Sequence, residues 1–523
     1  MLPDLVLRGG LIHDGSGDPS VPGDVAIAGD RIVAVGRVPV RCRAEIDATG
    51  LIVAPGFIDI HSHSDFTLLV DPRALSSIHQ GVTTEVVGNC GFGCFPIRDP
   101  VRSATSIYGH RAEPPLDWSA AAGYLARLEQ AGPAVNVLSL TPNAQLRMAT
   151  MDRTDRPADP EALSAMTRLL EQSLDEGSWG YSTGLEYAAE AAATPEEIGT
   201  LCRVAARRGA LYATHTRARD AGAVEAVAEA LDTAAKVEVR LQISHLLPRS
   251  GLQDGRRCVD LVETARAGGQ DVAFDMHTRL HGLTHLAAAL PSWAREGGPA
   301  AVHARLSDPA QRARMASFRS ILSAGGDWGR VILYDNDRWP DYARRSIAEI
   351  AAARGQPPFD AICDLLAGVA EDLTALMVLI AAYSPEQQDE VFAHPLCVPA
   401  SDATSLCPDG PLAGSAFHGA YTWAAFFWRR MVRETGMLSP EAAIHKLTAQ
   451  PAARLGLTDR GRLVPGQFAD VAVFDPKAYR DTGTLYAPSQ PAKGMVHVLV
   501  NGSFAMRHGR IMSDRTGHII RRQ

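Results

Sequence analysis

The chain lacks several features that mark other classes of protein. None of its apolar runs approaches the roughly 18 residues that a membrane-spanning helix needs, and its basic residues form no long runs. With a net charge of -8 at neutral pH, the chain is a poor partner for nucleic acid or an anionic membrane surface. Its first residues also lack a basic segment followed by an apolar core, so we expect no secretory signal and a cytoplasmic protein.

Cysteine and lysine are both scarce. The eight cysteines are scattered over 523 residues without the spacings of a disulfide framework, and we therefore expect reduced thiols. Only four basic residues are lysine, and all the others are arginine. The lysines are Lys236, Lys446, Lys477 and Lys493. A functional lysine is therefore excluded from the whole segment before residue 236.

The remaining composition, 46% apolar and 21% charged, is that of an ordinary globular protein. Because a single core stops growing at roughly 250–300 residues, we expect more than one domain. The first residues alternate short apolar segments with Gly-Asp turns, as in DVAIAGDRIVAVG, and the far end repeats this pattern in ADVAVFD and HVLVNGSFAMRHGRIM. These patterns are typical of antiparallel strands. They predict one small β-sandwich built from residues 1–54 and 461–523.

Residues 55–460 alternate short β-branched runs with helical stretches, which is typical of βα units around a parallel sheet. The predicted strands are Gly56–His63, Thr83–Cys90, Asn136–Leu140, Trp179–Thr183, Leu211–His215, Arg240–His245, Asp271–His277 and Cys397–Asp402. Eight such units predict an α/β fold of the (β/α)8 TIM-barrel type, with catalytic groups at the carboxyl ends of the strands. Residues 285–394 exceed what one helix needs and predict an inserted helical subdomain or lid between strands seven and eight.

Side chains that bind metals stand at the ends of five predicted strands. They are His61 and His63 on the first strand, Cys90 on the second, His215 on the fifth, His245 on the sixth and Asp402 on the eighth. Residues i and i+2 of a strand point to the same side, and zinc prefers imidazole, thiolate and carboxylate ligands. A lone buried cysteine is more often a small hydrophobe, and an aspartate after an apolar run is often a helix cap. Their common position at one end of the barrel favours a metal site.

Several motifs resemble those of the amidohydrolase superfamily: APGFIDIHSHSD, GVTTEVVGNCG, the Ser-Asp pair of strand eight and LTAQPAARLGLTDRGRLVPGQFADVAVFD. Within it, GNCG and YSTGLEY resemble the D-aminoacylase, or N-acyl-D-amino-acid deacylase, branch. The resemblance covers essentially the whole chain. It implies a zinc-dependent hydrolase that cleaves an amide C–N bond in an N-acylated small molecule.

The resemblance also assigns the metal ligands. It implies a tightly bound zinc ion that is held by Cys90, His215 and His245. It also implies a second, weaker site that is formed by His61, His63 and Asp402. Many amidohydrolases instead bridge two metals with a carboxylated lysine near strand four, which the lysine positions exclude here. Cys94 is the rival of Cys90, although it lies past the strand end, and Glu186 is a candidate extra ligand. Whether one or two ions are bound stays open.

The implied mechanism centres on Asp402. Zinc with an open coordination position lowers the pKa of bound water towards 7 and polarises a carbonyl. The resulting hydroxide attacks the scissile carbonyl carbon, and Asp402 takes the proton and passes it to the leaving nitrogen. The alternative, in which Asp402 is a ligand only, is left open by the sequence.

The substrate-contacting positions depart from the family pattern. The family typically has a lysine two residues after the strand-six histidine, where this chain has Leu247. The family's strand-seven tyrosine and serine fall on His277 and Leu283, and Leu412 lies where the family has His-Pro-Arg. A carboxylate buried against leucines costs several kcal/mol. We therefore expect an altered, more apolar substrate than a free N-acyl-D-amino acid.

Two questions about residues and three candidate functions, with deacylation as the first, remain open at this stage. Arg279 or His281 is the candidate replacement site for an anionic substrate, and the aromatic stretch Phe417–Arg430 is either a core helix or a wall of the substrate pocket. The same scaffold also carries out cyclic-amide opening and deamination. A scaffold protein without chemistry, like the dihydropyrimidinase-like neuronal proteins, is the third alternative. A small molecule is the only partner that the sequence predicts. The sequence does not indicate the oligomeric state.

Overall fold

The computed structural model describes residues 2–522, apart from residues 40, 296, 319, 321, 324, 325, 513 and 514. Within this part the chain forms two compact units. The larger comprises Met1–Leu247, Gln253–Thr278 and Gln388–Gln523, and the smaller comprises Pro248–Leu252 and Arg279–Gln387. No helix in the described ranges is long and apolar enough to cross a membrane.

The strands are numbered in chain order. They are β1 (Leu5–Ile12), β2 (Val21–Ala28), β3 (Arg31–Gly36), β4 (Ala44–Asp47), β5 (Ile52–Pro55), β6 (Phe57–Asp59), β7 (Val82–Val87), β8 (Asn136–Pro142), β9 (Gly180–Gly184), β10 (Leu211–His215), β11 (Arg240–Ile243), β12 (Val272–His277), β13 (His281–His285), β14 (Val331–Leu333), β15 (Met377–Ala381), β16 (Cys397–Ala400), β17 (Val471–Phe474), β18 (Met495–Val500), β19 (Ser503–Arg507) and β20 (Arg510–Ile511).

The helices are numbered in the same way. They are α1 (Thr67–Val70), α2 (Leu75–Ile78), α3 (Pro100–Ala104), α4 (Ala121–Ala131), α5 (Asn143–Thr150), α6 (Pro160–Asp175), α7 (Pro195–Arg207), α8 (Ala223–Ala235), α9 (Leu252–Ala267), α10 (Pro299–Ser307), α11 (Pro309–Ala316), α12 (Ile347–Arg354), α13 (Pro358–Ala367), α14 (Pro385–Ala393), α15 (Trp423–Trp428), α16 (Pro440–Leu447) and α17 (Ala449–Leu455).

Both ends of the chain contribute to one sheet. Its order is β20-β19-β18-β17-β5-β1-β2-β3, and β4 pairs with β1. The two ends meet where β5 pairs antiparallel with β17, with Val53 opposite Val473. Val25, Val53 and Val473 are buried in the apolar core that covers this sheet. The alternating apolar residues at both ends of the sequence therefore form a single β structure, as their pattern predicts.

The centre of the larger unit is a parallel barrel sheet of β6 to β12 and β16, so the predicted (β/α)8 barrel is confirmed. Neighbouring strands pair in parallel register, and Ile58, Val86, Leu138 and Val398 belong to one buried core cluster. The sheet is closed between β6 and β16 by a bridge that pairs Ser62 with Ala403. Helices such as α6 and α7 connect the strands, and each begins with a proline after a capping Asp159 or Thr194 side chain.

Four predicted barrel strands end earlier than the sequence suggested. The first, β6, ends at Asp59 and not at His63. The other three share one physical reason. β7 ends at Val87, β11 at Ile243 and β16 at Ala400, whereas the predicted strands continued to Cys90, His245 and Asp402. These three residues have φ values of 54°, 36° and 43°. Such angles lie in the left-handed region, which a β-strand does not contain. The chain therefore leaves the strand before each of these side chains.

The smaller unit has its own sheet and core. β15 pairs antiparallel with both β13 and β14. Helices α10 to α13 pack with this sheet around a buried apolar cluster that includes Leu333, Ile350, Leu366 and Val378. The unit begins at Arg279 and ends at Gln387 apart from the short segment Pro248–Leu252. These bounds differ by several residues from the interval 285–394 that was predicted as an insertion.

Candidate metal centre

Four of the predicted ligands meet at the carboxyl end of β6, β7 and β16. The ligand atoms of His61, His63, Cys90 and Asp402 lie within 4.8 Å of one another. His61 Nε2 is 3.2 Å from Cys90 Sγ and 3.5 Å from Asp402 Oδ1. His63 Nε2 is 3.1 Å from the same Oδ1 atom. Both imidazoles of His-Ser-His therefore approach the same carboxylate oxygen of Asp402.

A second group combines Cys90 with His215 and His245, again with all ligand atoms within 4.8 Å of one another. Cys90 Sγ lies 3.4 Å from His245 Nε2, and His215 Nδ1 lies 3.1 Å from the same nitrogen. All three residues are buried. Because Cys90 belongs to both groups, its sulfur lies between two adjacent candidate metal positions. The sequence had placed Cys90 in the tight site only.

Backbone geometry directs these side chains towards each other. Cys90, His245 and Asp402 adopt left-handed φ values, which cost about 1–3 kcal/mol each and persist where the surroundings fix them. The His245 N–H donates to Asp275 Oδ1 at 2.8 Å, and the Asp402 N–H donates to the carbonyl oxygen of His61 at 2.9 Å. Such strain is common at functional sites.

The site's electrostatics favour the metal-binding forms of Cys90 and His245. Burial lowers the pKa values of His61 and His63, but the neighbouring thiol and carboxylates raise both above the usual value. Burial raises the pKa of the Cys90 thiol, but the charges and hydrogen bonds of the surrounding histidines, His61 foremost, together hold this pKa well below its usual range. Burial and the charge of Arg219 lower the pKa of His245 to about 4. Zinc binds thiolate and neutral imidazole. In contrast, burial raises the pKa of the Cys94 thiol well above its usual value, and Cys94 belongs to neither metal group.

The chemistry of the donor set fits a metal ion. The two groups together combine one cysteine sulfur, four imidazoles and one carboxylate. These are the ligand types that zinc prefers in proteins.

Comparison with known proteins settles the family. The sequence model of a family described as "Amidohydrolase family" matches residues 44–505 of this chain. The chain is 33% identical to an N-acyl-D-aspartate deacylase of Alcaligenes xylosoxydans xylosoxydans, over 99% of this chain and 95% of the relative. The chain belongs to the amidohydrolase family. It is a metal-dependent hydrolase with a TIM-barrel core.

Two further proteins show where this amidohydrolase lies within the family. An N-acyl-D-glutamate deacylase of the same Alcaligenes species is 33% identical over 99% of this chain and 96% of the relative. The structure of an N-acyl-D-glutamate deacylase from Bordetella bronchiseptica, complexed with zinc and a phosphonate inhibitor, has a TM-score of 0.81 and 29% identity. That alignment covers 100% of both chains. The similarity therefore extends over the whole fold.

The other predicted site residues occupy three different settings. Glu186 Oε2 lies 2.9 Å from His215 Nε2, and His277 Nε2 lies 3.8 Å from Asp402 Oδ2. Leu247 and Leu412 are each only 1% exposed. Leu412 packs in a buried cluster. Glu186 and His277 thus adjoin the metal groups, whereas the two leucines are part of the packing.

The remaining three predicted substrate residues belong to the smaller unit. Arg279 begins that unit, and His281 and Leu283 lie on β13. Leu283 is 38% exposed. The role of these residues towards a substrate stays a prediction.

An aromatic cluster that the sequence analysis did not assign adjoins both metal groups. We define it as Phe92, Tyr108, Tyr187 and Phe417. The ring of Tyr108 stacks on His63 with centroids 5.2 Å apart, and the ring of Tyr187 lies 4.5 Å from His215. Phe92 is 4.7 Å from Tyr187, and Phe417 is 5.3 Å from Tyr108. The sequence offered two signals for this cluster. Phe92 lies two residues after Cys90, and Tyr187 ends the motif YSTGLEY.

The stretch Phe417–Arg430 packs in the core, and its role as a wall of the substrate pocket stays a prediction. α15 buries Trp423 and Trp428, each 1% exposed, in the core of the larger unit. Phe417, in contrast, lies before this helix, is only partly buried and joins the aromatic cluster. The helix therefore belongs to the core, whereas Phe417, which lies ahead of the helix, contacts Tyr108 of the aromatic cluster beside the metal groups.

Asp275 is a further residue that the sequence analysis missed. It is 1% exposed, and one of its oxygens lies 3.1 Å from His61 Nδ1 while also accepting from the His245 N–H. The same carboxylate thus contacts a residue of each metal group. Metal-binding histidines commonly use their second nitrogen in this way, which fixes the orientation of the ring.

Proposed function

We propose that this amidohydrolase is a zinc-dependent deacylase that hydrolyses the amide C–N bond of an N-acylated small molecule. The observation that carries the proposal is the buried Cys90 sulfur shared by two metal groups. Cys90, His215 and His245 hold the tightly bound zinc, and His61, His63 and Asp402 join Cys90 at a second position. The relatives that are named deacylases support this reaction type.

The chain's own residues supply positioning and proton transfer. Zinc held by such a set polarises a carbonyl and makes water acidic. The Asp402 carboxylate faces His63 with one oxygen and lies near His277 Nε2 with the other. Its side chain is only 15% exposed. Asp402 receives the proton of the attacking water and delivers it to the leaving nitrogen.

The proton-transfer role predicts the effect of Asp402→Asn. The amide keeps the shape of the carboxylate but cannot accept a proton, so we expect kcat to fall about 10²- to 10⁴-fold. The zinc content at Cys90, His215 and His245 should stay unchanged, as measured by elemental analysis. Asp409→Asn, which alters a carboxylate that is 71% exposed, is the control. Activity of Asp402→Asn within a few-fold of wild type would contradict the assignment.

The surroundings of the metal groups favour an apolar substrate. The aromatic cluster contacts both His63 and His215, and Tyr108 and Tyr187 are 38% and 37% exposed. Aromatic side chains are common in the walls of small-molecule pockets. Leu247 stands where the D-aminoacylase branch typically has a lysine, so that charge is missing there. We infer that an amide, ester or peptide-like derivative is preferred over a free N-acyl-D-amino acid.

A substrate panel tests this specificity. N-acetyl derivatives of D-methionine, D-phenylalanine, D-aspartate and D-glutamate would be compared with their carboxamides and with N-acyl amines, using the zinc-loaded enzyme. We expect kcat/KM for the carboxamide to exceed that of the matching free acid at least about tenfold, as the loss of one unpaired buried charge predicts. Saturating turnover of N-acetyl-D-methionine or N-acetyl-D-glutamate at low concentration would overturn the specificity and leave the reaction type intact.

A further inference from the structure

A buried carboxylate that the proposed mechanism does not use lies behind the metal groups. Glu85, on β7, is 1% exposed. Its Oε1 accepts hydrogen bonds from Ser77 Oγ at 2.6 Å and Ser405 Oγ at 2.5 Å. Its Oε2 accepts from Ser62 Oγ at 3.1 Å. We call these four residues the Glu85 network. A buried carboxylate is costly unless it is hydrogen-bonded, and hydroxyl donors to a carboxylate make strong bonds.

The Glu85 network joins the two segments that carry His61, His63 and Asp402, three of the four members of one metal group. Ser62 stands between His61 and His63, and Ser405 lies three residues after Asp402. Ser77 and Ser405 also contact each other through their hydroxyl oxygens at 2.6 Å. One side chain on the second barrel strand therefore holds the ends of the first and the eighth strand.

The junction between β6 and β16 has the least backbone pairing in the barrel. In the described residues, each other pair of neighbouring barrel strands has at least three paired positions, whereas β6 and β16 meet through the Ser62–Ala403 bridge outside the strands. Hydroxyl groups supply further bonds across it. Ser401 Oγ donates to the His61 carbonyl at 3.2 Å, and the Ser405 N–H donates to Ser64 Oγ at 2.8 Å. Hydrogen bonds of side chains thus replace the missing backbone pairing between β6 and β16, at the strand ends that carry the metal-binding residues.

We propose that Glu85 is a positioning residue that holds Asp402 in register with His61 and His63. It thereby sets the affinity of the second metal position and the placement of the proton-transfer carboxylate. The group of Cys90, His215 and His245 depends on it less. Neither histidine lies on a segment that the Glu85 network binds, and β7, which precedes Cys90, is held by its own backbone pairing with β6 and β8. The inference rests on the proposed function for the identity of the two metal positions.

Glu85→Gln tests the role with a side chain of nearly the same shape. The amide keeps one acceptor oxygen and puts an N–H₂ donor in place of the other, so one side of the Glu85 network loses its acceptor. Zinc would be removed from the full-length chain by chelation and titrated back with a competing chelator of known affinity. We expect the first zinc ion to bind as in wild type and the second to bind about 10- to 100-fold more weakly, the usual effect of losing a group behind a ligand. kcat should fall over the same range while KM changes little.

Two further variants separate positioning from general destabilisation. Ser405→Ala removes one hydroxyl of the Glu85 network and should weaken the second zinc ion in the same direction, which also decides the matter if Glu85→Gln does not fold. Ser178→Ala is the matched control, since this buried serine bonds to Thr141 at 2.8 Å near the amino end of β9. It should leave the affinities of both zinc ions unchanged.

The possible outcomes distinguish the inference from the proposed function. Wild-type affinity for the second zinc ion in Glu85→Gln and Ser405→Ala would overturn the inference, and so would an equal loss at both positions. A wild-type chain that binds only one zinc ion would also overturn it, while the proposed function would stand. A wild-type chain without zinc at Cys90 would refute the proposed function itself.

Discussion

At the scale of single residues, the site depends most on one thiol. Cys90 is the member that both metal groups share, and the nearest imidazole nitrogens, those of His61 and His245, lie 3.2 Å and 3.4 Å from its sulfur. Each histidine of the centre, in contrast, belongs to one group only. The loss of the thiol should therefore differ in kind from the loss of any one imidazole.

This asymmetry predicts the metal content of three variants. Cys90→Ala should lose zinc at both positions, because the remaining side chains of each group lack their common ligand. His215→Ala should lose only the tightly bound ion. Cys94→Ala should retain the wild-type content, since Cys94 lies in neither group. Zinc per chain, measured by elemental analysis after extensive dialysis, checks all three. Full zinc content in Cys90→Ala, or its loss in Cys94→Ala, would show that the wrong cysteine had been chosen.

The residue scale also shows what sequence patterns predict about a site. His61, His63, Cys90, His215, His245 and Asp402 could all be proposed because each combines a metal-binding side chain with the end of a predicted strand. Asp275 and Glu85 carry no such local signal. Asp275 lies 214 residues from its partner His61 in the sequence, and Glu85 lies 320 residues from its partner Ser405. Only the closed barrel brings these groups together, so the side chains that support the ligands were missed.

At the scale of elements, the turn after β7 places the shared thiol. Cys90 and Gly91 are consecutive residues with φ values of 54° and 71°. The chain turns at these two residues, and the sulfur lies at both metal groups. The sequence indicated a strand through Cys90, because a positive φ in a residue other than glycine leaves no mark in an apolar pattern. Residue type thus predicted which elements exist, and backbone conformation decided where they end.

The turn predicts that Gly91→Ala is far more damaging than an ordinary glycine substitution. A Cβ at Gly91 would overlap Glu190 Oε1 and lie 2.9 Å from Gly184 N. Glu190 cannot easily withdraw, since it is 1% exposed and accepts a hydrogen bond from Asn143 at 2.8 Å. We expect a lower melting temperature and a loss of zinc, measured by calorimetry and elemental analysis.

Gly132→Ala provides the matched control for this turn. Gly132 has φ 65°, and a Cβ there would meet nothing within 4 Å. It therefore reports the backbone cost alone, about 1–2 kcal/mol for an alanine in the left-handed region. Zinc content should not change in this variant. If Gly91→Ala behaved like Gly132→Ala in both measurements, close packing around the turn would not be what positions Cys90.

At the scale of the larger unit, a buried polar network connects the terminal sheet to the barrel. Asp470, just before β17, accepts hydrogen bonds from Asn136 Nδ2 at 3.1 Å and from the Asn501 N–H at 2.7 Å. Arg460 Nη1 donates to the same carboxylate at 2.5 Å. Asn136 begins the barrel strand β8, and Asn501 follows β18. The sequence predicted that both ends form one β structure, but it could not identify the contacts that fix this structure to the barrel.

The network predicts a large effect of Asp470→Ala on stability. Arg460 and Asp470 are 3% and 4% exposed, so the variant leaves a buried guanidinium without its carboxylate. Removing one partner of a buried ion pair typically costs about 3–5 kcal/mol. We expect this loss in the free energy of unfolding, measured by urea titration with tryptophan fluorescence. The kcat of the folded, zinc-loaded variant should stay near wild type, because none of these residues belongs to a metal group.

The double variant Arg460→Met/Asp470→Ala shows whether the unpaired charge causes the loss. Methionine keeps much of the arginine's apolar volume but needs no counter-ion, and replacing both members of a buried pair by apolar groups is often nearly neutral. We therefore expect the double variant to be more stable than Asp470→Ala alone. The carboxylate also binds Asn136 and the Asn501 N–H, so recovery should be incomplete. If the two substitutions instead destabilised the protein additively, the ion pair would contribute nothing specific. The attachment of the terminal sheet to the barrel would then depend on apolar packing.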